Sequence, residues 1–185
     1  MKKSHEEGTF ELITGPMFSG KTTTLVKKLN FFQNEGYKIK CFKPAVDDRY
    51  DLNKVVTHEA IKVKATPIKS AKEILNHIDE CEVIFIDEIQ FFDPSIVSVV
   101  LDLISNNYIV VGAGLEYDYM GNNFGEMDKL KRITNTLSRL TGSCSVCNNV
   151  GTHTYRKNKN VVDTVLIGSN DVYEIRCETC FELEQ

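Results

Sequence analysis

The segment that most constrains this chain covers residues 10–22, where a short β-prone run stops at Gly15 and a helix-prone run begins at Lys21 and Thr22. Four residues separate Gly15 from Gly20-Lys21-Thr22, which is the spacing of a P-loop. In such a loop, backbone N–H groups surround a polyphosphate, and the N-terminus of the next helix faces the same anion. The pattern therefore predicts a phosphate-binding turn between a strand and a helix.

Each residue type in this loop suits a task. Glycine adopts backbone angles closed to other residues, the lysine ammonium can contact the outer phosphates, and the threonine hydroxyl can ligate Mg²⁺. The plainer alternative is a chance match in a glycine-containing turn, but the flanking strand and helix patterns also fit. We therefore expect Thr22 to be a magnesium ligand and the whole loop to bind phosphate: Gly15, Pro16, Met17, Phe18, Ser19, Gly20, Lys21 and Thr22.

Length and composition are those of an ordinary globular protein. The 185 residues suffice for one well-buried core plus a small appendage. A net charge of −4 gives no basic field for a polynucleotide backbone, so nucleic acid is not an expected partner. The N-terminus lacks the apolar segment of a signal peptide, and no apolar run approaches the roughly 20 residues of a membrane span. We expect a cytoplasmic protein with no membrane partner.

A second informative stretch is the unbroken apolar run over residues 83–86, which ends in Asp87 and Glu88. A run without alternation is typical of a strand covered on both faces, as in the middle of a parallel sheet. Because parallel strands share one direction, the two acids would lie beside the P-loop. Asp87 is then a candidate for the Mg²⁺ site, and Glu88 can act on whatever attacks the γ-phosphate. The alternative is a strand end with two solvated acids.

The rest of the pattern alternates strands and helices. Apolar residues recur at helical spacing after the P-loop and again after Asp93, the expected N-cap of a second helix whose first residue is Pro94. This alternation predicts an α/β fold with a mainly parallel sheet flanked by helices, as in P-loop NTPases. A last long helix is marked by Met127, Leu130, Ile133, Leu137 and Leu140.

Two loops at predicted strand ends are candidates for ligand binding. Asp47 and Arg49 lie where open α/β sheets bind ligands and could help to hold metal and phosphate, although a solvated charged loop explains them equally well. Residues 113–125 are rich in glycine, asparagine and aromatic residues, as a substrate loop would be. Tyr119 and Phe124 either anchor this loop or stack on a base, and composition does not decide between these roles.

Four of the six cysteines form two Cys-x-x-Cys pairs around a β-prone segment. This arrangement is typical of a tetrahedral zinc ribbon, and four thiolates leave no open position for substrate. We therefore expect structural Zn²⁺ rather than a catalytic metal, with a redox dithiol as the weaker alternative. Cys41 and Cys81 lie in or beside apolar strands and are expected to be small buried side chains. The expected zinc ligands are Cys144, Cys147, Cys177 and Cys180.

These motifs occur together, in the same order, in a known family. The P-loop, Asp47-Asp48-Arg49-Tyr50, the stretch from Ile86 to Phe92, Gly114-Leu115 and the two cysteine pairs make the chain similar to type II thymidine kinases. The resemblance implies transfer of the γ-phosphate of MgATP to the 5′-hydroxyl of thymidine or deoxyuridine in nucleoside salvage. It also implies a homotetramer that is inhibited by thymidine triphosphate.

The resemblance further implies roles for individual residues. Glu88 matches the general base, Asp47 a metal-linked acid and Arg49 a phosphate-binding arginine. Residues 1–141 would form the P-loop domain, and residues 142–185 a zinc lobe that covers the nucleoside. Residues matching the nucleoside pocket are Met17, Phe91, Leu115, Tyr119, Phe124 and Thr154, together with Val165, Ile167, Gly168, Ser169 and Tyr173 of the loop that covers thymine.

The chain departs from the family pattern at several pocket positions. Glu116 and Tyr119 replace the usual Asp and Phe, and Ser169 replaces the second glycine of a Gly-Gly pair. The departures concern nucleoside preference more than phosphoryl transfer, because the P-loop and Asp87-Glu88 are intact. Two other classes remain open from the sequence. One is a P-loop ATPase acting on a macromolecular partner, and the other is a zinc-ribbon binding module for which a nucleotide is only a regulatory ligand.

Overall fold

Six strands, all parallel, form the central sheet of the computed structural model, which describes residues 7–45, 54–56, 62–157 and 172–182. These strands are β1 (Thr9–Thr14), β2 (Ile39–Pro44), β5 (Thr66–Ile68), β6 (Val83–Ile86), β7 (Ile109–Gly114) and β8 (Thr136–Arg139). Their order across the sheet is β5-β2-β6-β7-β1-β8. Between β2 and β5 in the chain, β3 (Lys54–Val56) and β4 (Lys62–Lys64) form a separate antiparallel pair. The predicted α/β fold with a mainly parallel sheet is confirmed.

Helices cover the two faces of the sheet. Helix α1 (Lys21–Asn34) packs Leu25, Val26 and Leu29 onto one face, against residues such as Ile13 and Phe85. Helix α2 (Ile96–Ser105) packs onto the other face. Residues 83–86 are fully buried between these layers, which confirms the prediction from the unbroken apolar run. Among the described residues, no helix has the length and apolar character required to cross a lipid bilayer.

The remaining helical segments are short. Ser70 caps a 3₁₀ helix (Ala71–Asn76) by accepting a hydrogen bond from the Lys72 amide, as its position before an apolar stretch predicts. A second 3₁₀ helix (Ile89–Phe91) follows β6 directly. Helix α3 (Met127–Ile133) precedes β8.

The prediction of a last long helix through Leu137 and Leu140 is wrong. Helix α3 ends at Ile133, and residues 136–139 form an edge strand beside β1. The cause is tertiary: the Asn135 side chain accepts from the Phe10 amide at 2.8 Å, and the Asn135 amide donates to the Phe10 carbonyl at 2.8 Å. These bonds to β1 replace the next helical turn. Leu137 and Leu140 therefore continue the apolar spacing of a helix without being helical.

The start of α2 also differs from the expected cap. Asp93 does not precede the first helical residue; the helix begins at Ile96 with Ser95 at the N-cap position. The Asp93 carboxylate instead accepts from the Ser95 amide at 3.0 Å and from the Ala71 amide, at the start of the first 3₁₀ helix, at 2.9 Å. The aspartate therefore joins the beginnings of two helical segments.

Beyond β8 the chain forms a small lobe of short elements, here called the cysteine lobe. Strands β9 (Gly142–Ser143) and β10 (Val150–Gly151) pair antiparallel, as do β11 (His153–Arg156) and β12 (Tyr173–Arg176). A five-residue helix, α4 (Glu178–Glu182), follows. The β-prone segment between the two cysteine pairs thus contains strands.

Candidate active site

The carboxyl ends of β1, β6 and β7 lie at one edge of the sheet because these strands are neighbours and parallel. The loop after β1 has the backbone that its glycines predict, with φ of 152° at Gly15 and 85° at Gly20. Phe18 is also in the left-handed region, at φ 64°. A Cβ at Gly15 would collide with the Leu140 carbonyl and the Ser19 hydroxyl, so the first position of the motif admits no side chain.

Lys21 is the first residue of α1 and lies almost buried against the loop. Its Nζ donates to the Pro16 carbonyl at 2.8 Å, and the Thr24 amide donates to the Gly20 carbonyl at 2.9 Å, so the helix starts inside the loop. The buried Ser19 hydroxyl has no hydrogen-bond partner among the described residues. A buried polar group without a partner is costly, and an anion or water in the loop would relieve that cost.

Asp87 follows β6 and faces the start of α1. The Thr22 hydroxyl donates to Asp87 Oδ2 at 3.5 Å, and the Asp87 amide donates to the Phe42 carbonyl at 2.9 Å, which fixes this turn against β2. Asp87 is only 7 % exposed. A hydroxyl and a carboxylate oxygen are hard donors of the kind that Mg²⁺ prefers, so the two predicted ligands fit this ion.

Glu88 adopts a left-handed backbone, with φ 50° and ψ 42°, directly before the second 3₁₀ helix. A non-glycine residue in this region carries strain that the surroundings must offset, and such strain is concentrated at functional sites. Gln90 Nε2 donates to Glu88 Oε2 at 2.6 Å. The carboxylate predicted to be catalytic is therefore held by a neighbouring amide.

Sequence reasoning missed two buried polar residues near strand ends, Gln90 after β6 and Lys43 in β2. Gln90 Oε1 accepts from the Leu115 amide at 3.1 Å, so this side chain bridges the ends of β6 and β7. Lys43 lies near the end of β2 and is only 3 % exposed. Burial raises the pKa of the Cys41 thiol, and the charge of Asp87 adds to this effect while that of Lys43 opposes it. The sequence feature that could have pointed to Lys43 is a lysine within a run that is otherwise typical of a buried strand.

Four aromatic residues of the predicted nucleoside set take part in two contact groups: Phe91 with Phe124, and Tyr119 and Tyr173 with Arg156. The rings of Phe91 and Phe124 meet edge to face, with centroids 5.2 Å apart. The Arg156 guanidinium lies 3.8 Å from the Tyr119 ring centroid, and its Nη2 donates to Tyr173 Oη at 3.0 Å. Arg156, which the sequence did not single out, thus brings two predicted pocket tyrosines together.

Thr154 connects the cysteine lobe to the phosphate loop. Its hydroxyl oxygen accepts from the Met17 amide at 2.9 Å. Six predicted residues lie outside the described part of the chain, namely Asp47, Arg49, Val165, Ile167, Gly168 and Ser169.

The departure at Glu116 is explained by an ionic cluster. Glu116 Oε1 lies 2.9 Å from Lys131 Nζ, and Glu116 Oε2 lies 3.4 Å from Arg139 Nε. Burial acts to raise the pKa of Glu116, but the hydrogen bonds and charges of Lys131 and Arg139 outweigh it, so the pKa lies below its ordinary value. The cluster ties the loop after β7 to α3 and β8.

A cavity of about 360 Å³ lies between the phosphate loop and the cysteine lobe. Among the members of the predicted nucleoside set that the structure describes, Thr154 alone lines this cavity. His153, on its wall, stacks between Tyr117 and Phe181, with centroid distances of 5.7 and 4.6 Å. This stack packs the lobe onto the loop after β7.

The four cysteines of the two pairs converge on one point. Their Sγ atoms all lie within 4.8 Å of one another, and Cys147 Sγ lies 3.6 Å from the Sγ atoms of both Cys177 and Cys180. Tetrahedral coordination with Zn–S bonds of about 2.3 Å requires sulfur atoms about 3.8 Å apart. The cluster therefore fits a four-thiolate metal site. Cys41 and Cys81 lie apart and are buried, as predicted.

A strand-loop-helix phosphate site at the carboxyl edge of a parallel sheet, with two acids after a neighbouring strand, defines a P-loop nucleotide-binding protein. Residues 8–181 match the family model described as thymidine kinase. The chain belongs to the thymidine kinase family, and membership indicates a kinase, that is, a phosphotransferase.

Similarity to solved structures is broader and weaker. The X-ray structure of the Legionella pneumophila ATPase DotB is similar over 80 % of this chain and 44 % of its own, with 13 % identity and a TM-score of 0.46. The chain spans less than half the length of that structure.

Proposed function

We propose that this protein transfers the γ-phosphate of MgATP to the 5′-hydroxyl of thymidine, and of deoxyuridine, as an ATP:thymidine 5′-phosphotransferase. The observation that carries the proposal is the placement of Glu88. Its carboxylate follows Asp87 at the phosphate-loop edge of the sheet and is held by a 2.6 Å hydrogen bond from Gln90. A carboxylate oriented in this way beside a phosphate site can serve as a base for an attacking hydroxyl.

The phosphate half of the reaction rests on the loop after β1. Lys21 would place its ammonium on the outer phosphates, and the backbone amides of the loop would surround them. Thr22 and Asp87 would hold Mg²⁺, which would neutralise negative charge on the phosphates during transfer. The resemblance adds Asp47 to the metal site and Arg49 to the phosphate site.

The acceptor half rests on Glu88. In the proposed step the 5′-oxygen forms a bond to the γ-phosphorus as the bond to the β,γ-bridging oxygen breaks. The hydroxyl proton passes to the Glu88 carboxylate, and ADP leaves. Positioning and a general base account for the rate in this scheme, and the base contributes about 10²–10⁴-fold.

Selection of thymidine is assigned to the loop after β7 and to the cysteine lobe. Met17, Phe91, Leu115, Tyr119, Phe124 and Thr154 would contact the nucleoside, with residues 165–173 reading the edge of the base largely through backbone groups. Each buried backbone group left unpaired by a wrong base costs about 1–3 kcal/mol, so two such groups would exclude cytosine by about two to four powers of ten.

Further parts of the proposal rest on the family resemblance. They are a homotetramer, inhibition by thymidine triphosphate, and a division into residues 1–141 and 142–185. The proposed structural Zn²⁺ rests instead on the spacing of the four cysteines and is supported by their thiolate geometry.

The test is ATP turnover by zinc-loaded protein with Mg²⁺, measured with thymidine, deoxyuridine, deoxycytidine, deoxyadenosine, deoxyguanosine or no nucleoside. Thymidine monophosphate should form, and deoxycytidine should be a poor substrate. Glu88→Gln should lower turnover about 10²–10⁴-fold with little change in ATP affinity. The matched control is Glu80→Gln, because Glu80 is an exposed glutamate in a surface ion pair with Lys38.

Two results would overturn the proposal. Hydrolysis of ATP that is indifferent to every nucleoside would identify an ATPase, the alternative class for this motif. Binding of ATP without turnover under any condition would identify a binding module. Full turnover by Glu88→Gln would remove Glu88 from the mechanism while leaving the substrate assignment intact.

A further inference from the structure

Gln90 spans the gap between the catalytic turn after β6 and the loop after β7. Its side chain is 2 % exposed, and both ends of its amide are engaged. Nε2 donates to the Glu88 carboxylate at 2.6 Å, and Oε1 accepts from the Leu115 amide at 3.1 Å. If the Gln90 amide were rotated by half a turn, its oxygen would face the Glu88 carboxylate and its NH₂ group would face the Leu115 amide. Neither pair could form a hydrogen bond, so only one orientation satisfies both ends.

The backbone around Gln90 is shaped to keep it in place. A Cβ on Gly114 would collide with Gln90 Oε1, and a Cβ on Gly125 would collide with the Gln90 carbonyl oxygen. These two glycines stand at the beginning and the end of the loop after β7. The loop therefore closes around Gln90 at both of its ends, and only residues without a side chain allow that approach.

The loop held in this way carries groups of the proposed nucleoside pocket. Leu115 is its first residue, and Phe124 packs edge to face on Phe91, the residue directly after Gln90. A displacement of the loop thus moves the Leu115 amide, which is hydrogen-bonded to Gln90, and Gln90 is in turn hydrogen-bonded to the Glu88 carboxylate. The Gln90 side chain and these two hydrogen bonds therefore link the loop to Glu88.

We propose that Gln90 is a positioning residue that couples the nucleoside loop to the Glu88 carboxylate. The inference rests on the proposed function, in which Glu88 is the base. Gln90 fixes the direction of the carboxylate when the loop is in place, so that the base and the acceptor pocket adopt their productive arrangement together. Misplacement of a reacting group by about 1 Å costs on the order of 10²-fold in rate.

The test is a double-mutant cycle between Gln90→Met and Glu88→Gln. Methionine preserves the length of the side chain and removes both hydrogen bonds. On the wild-type background, Gln90→Met should lower kcat about 10–100-fold. On the Glu88→Gln background it should lower kcat less than about threefold, because the group that it orients is already lost. Equal losses on both backgrounds would show a structural effect and overturn the inference.

A second variant separates the two ends of the amide. When ionised, Gln90→Glu retains an oxygen for the Leu115 amide but replaces the donor to Glu88 with a like charge, so at a pH where both are ionised kcat should fall while KM for thymidine changes less than threefold. A higher KM for thymidine with an unchanged kcat would contradict the assignment. This variant also serves if Gln90→Met fails to fold, which thermal unfolding will show.

The failure of this inference can be told from the failure of the proposed function. If Glu88→Gln alone retains turnover, the assignment of the base is wrong whatever Gln90 does. If Glu88→Gln is inactive and the Gln90 variants turn over at the wild-type rate, the base stands and the coupling through Gln90 is wrong.

Discussion

The hydroxyl oxygen of Thr154 accepts a 2.9 Å hydrogen bond from the backbone amide of Met17. Thr154 lies on β11 of the cysteine lobe, and Met17 lies at the centre of the phosphate loop. A side chain of the lobe thus fixes a peptide unit of the loop, and the conformation of one depends on the position of the other.

Replacing Thr154 with valine should weaken the binding of ATP and lower the free energy of unfolding by about 1–3 kcal/mol, because it leaves the Met17 amide without this acceptor. Valine preserves the shape of the side chain, and Thr154→Ser preserves the hydroxyl and is the matched control. Calorimetric titration with ATP and urea denaturation measure the two effects. An ATP affinity equal to that of the wild type in Thr154→Val would show that the bond does not brace the loop.

Removal of the metal should unfold the cysteine lobe while the parallel sheet remains. The lobe consists of two-stranded sheets and a five-residue helix around four thiols, and structural zinc supplies on the order of 10–16 kcal/mol to such sites. Amide spectra recorded before and after chelation should lose the dispersed signals of β11 and β12 and keep those of β6. The Met17 amide should shift as well. Ordered lobe signals after complete removal of metal would contradict the prediction.

Asp93→Asn should destabilise the protein at neutral pH, with an effect that disappears in acid. Hydrogen bonds from the Ser95 side chain and from the Ala71 and Ser95 amides lower the pKa of Asp93 to about 2. A lowered pKa means that the ionised form is favoured by folding, so this stability is complete above the ordinary pKa of 3.8 and is lost as the pH falls toward 2. Urea denaturation from pH 7 to pH 2 measures the difference.

The control for this experiment is Asp79→Asn, at an exposed aspartate. It should follow the wild type at every pH. A deficit in Asp93→Asn that stays constant down to pH 2 would mean that the carboxylate charge is not what joins the two helical segments.

Lys131→Met should destabilise the protein by about 1–3 kcal/mol, because it removes a hydrogen-bonding charge from Glu116, whose side chain is only 9 % exposed. The control is Lys129→Met, which removes an i,i+3 pair with Glu126 in which the lysine is 65 % exposed, and it should cost about 0–1 kcal/mol. Thermal and urea unfolding provide the measurement. The double variant Glu116→Gln/Lys131→Met should lose less stability than the sum of the losses in the two single variants, since the carboxylate that Lys131 pairs with is no longer charged. Full additivity would contradict the coupling.

The sequence predicted the features that depend on local pattern or fixed spacing. The phosphate loop, the buried strand before Asp87 and the cysteine pairs are of this kind, because glycine, lysine and thiol spacing directly limits the geometry. The length of α3 was not predictable in the same way. Leu137 continues a helical spacing, and the deciding bonds from Asn135 to Phe10 join residues far apart in the chain.

Gln90 shows the same limit at the site. A glutamine in a short turn has no periodic signal, and its role becomes visible only when the sheet brings the end of β7 next to the end of β6. The proposed roles of the site residues themselves stay predictions until the activity measurements are made.

The sheet order has a consequence for the biogenesis of the active site. Strand β1, which delivers the phosphate loop, pairs only with β7 and β8 in the described sheet, with Thr9 opposite Ile109 and Glu11 opposite Thr136. Strand β1 therefore has no neighbour in this sheet until residues 109–114 have been synthesised, and its second neighbour comes with residues 136–139. Contacts so distant in sequence form slowly, since the intervening chain must be ordered first. A nascent chain truncated before β7 therefore lacks both of the strands that flank β1 and hold the phosphate loop in place.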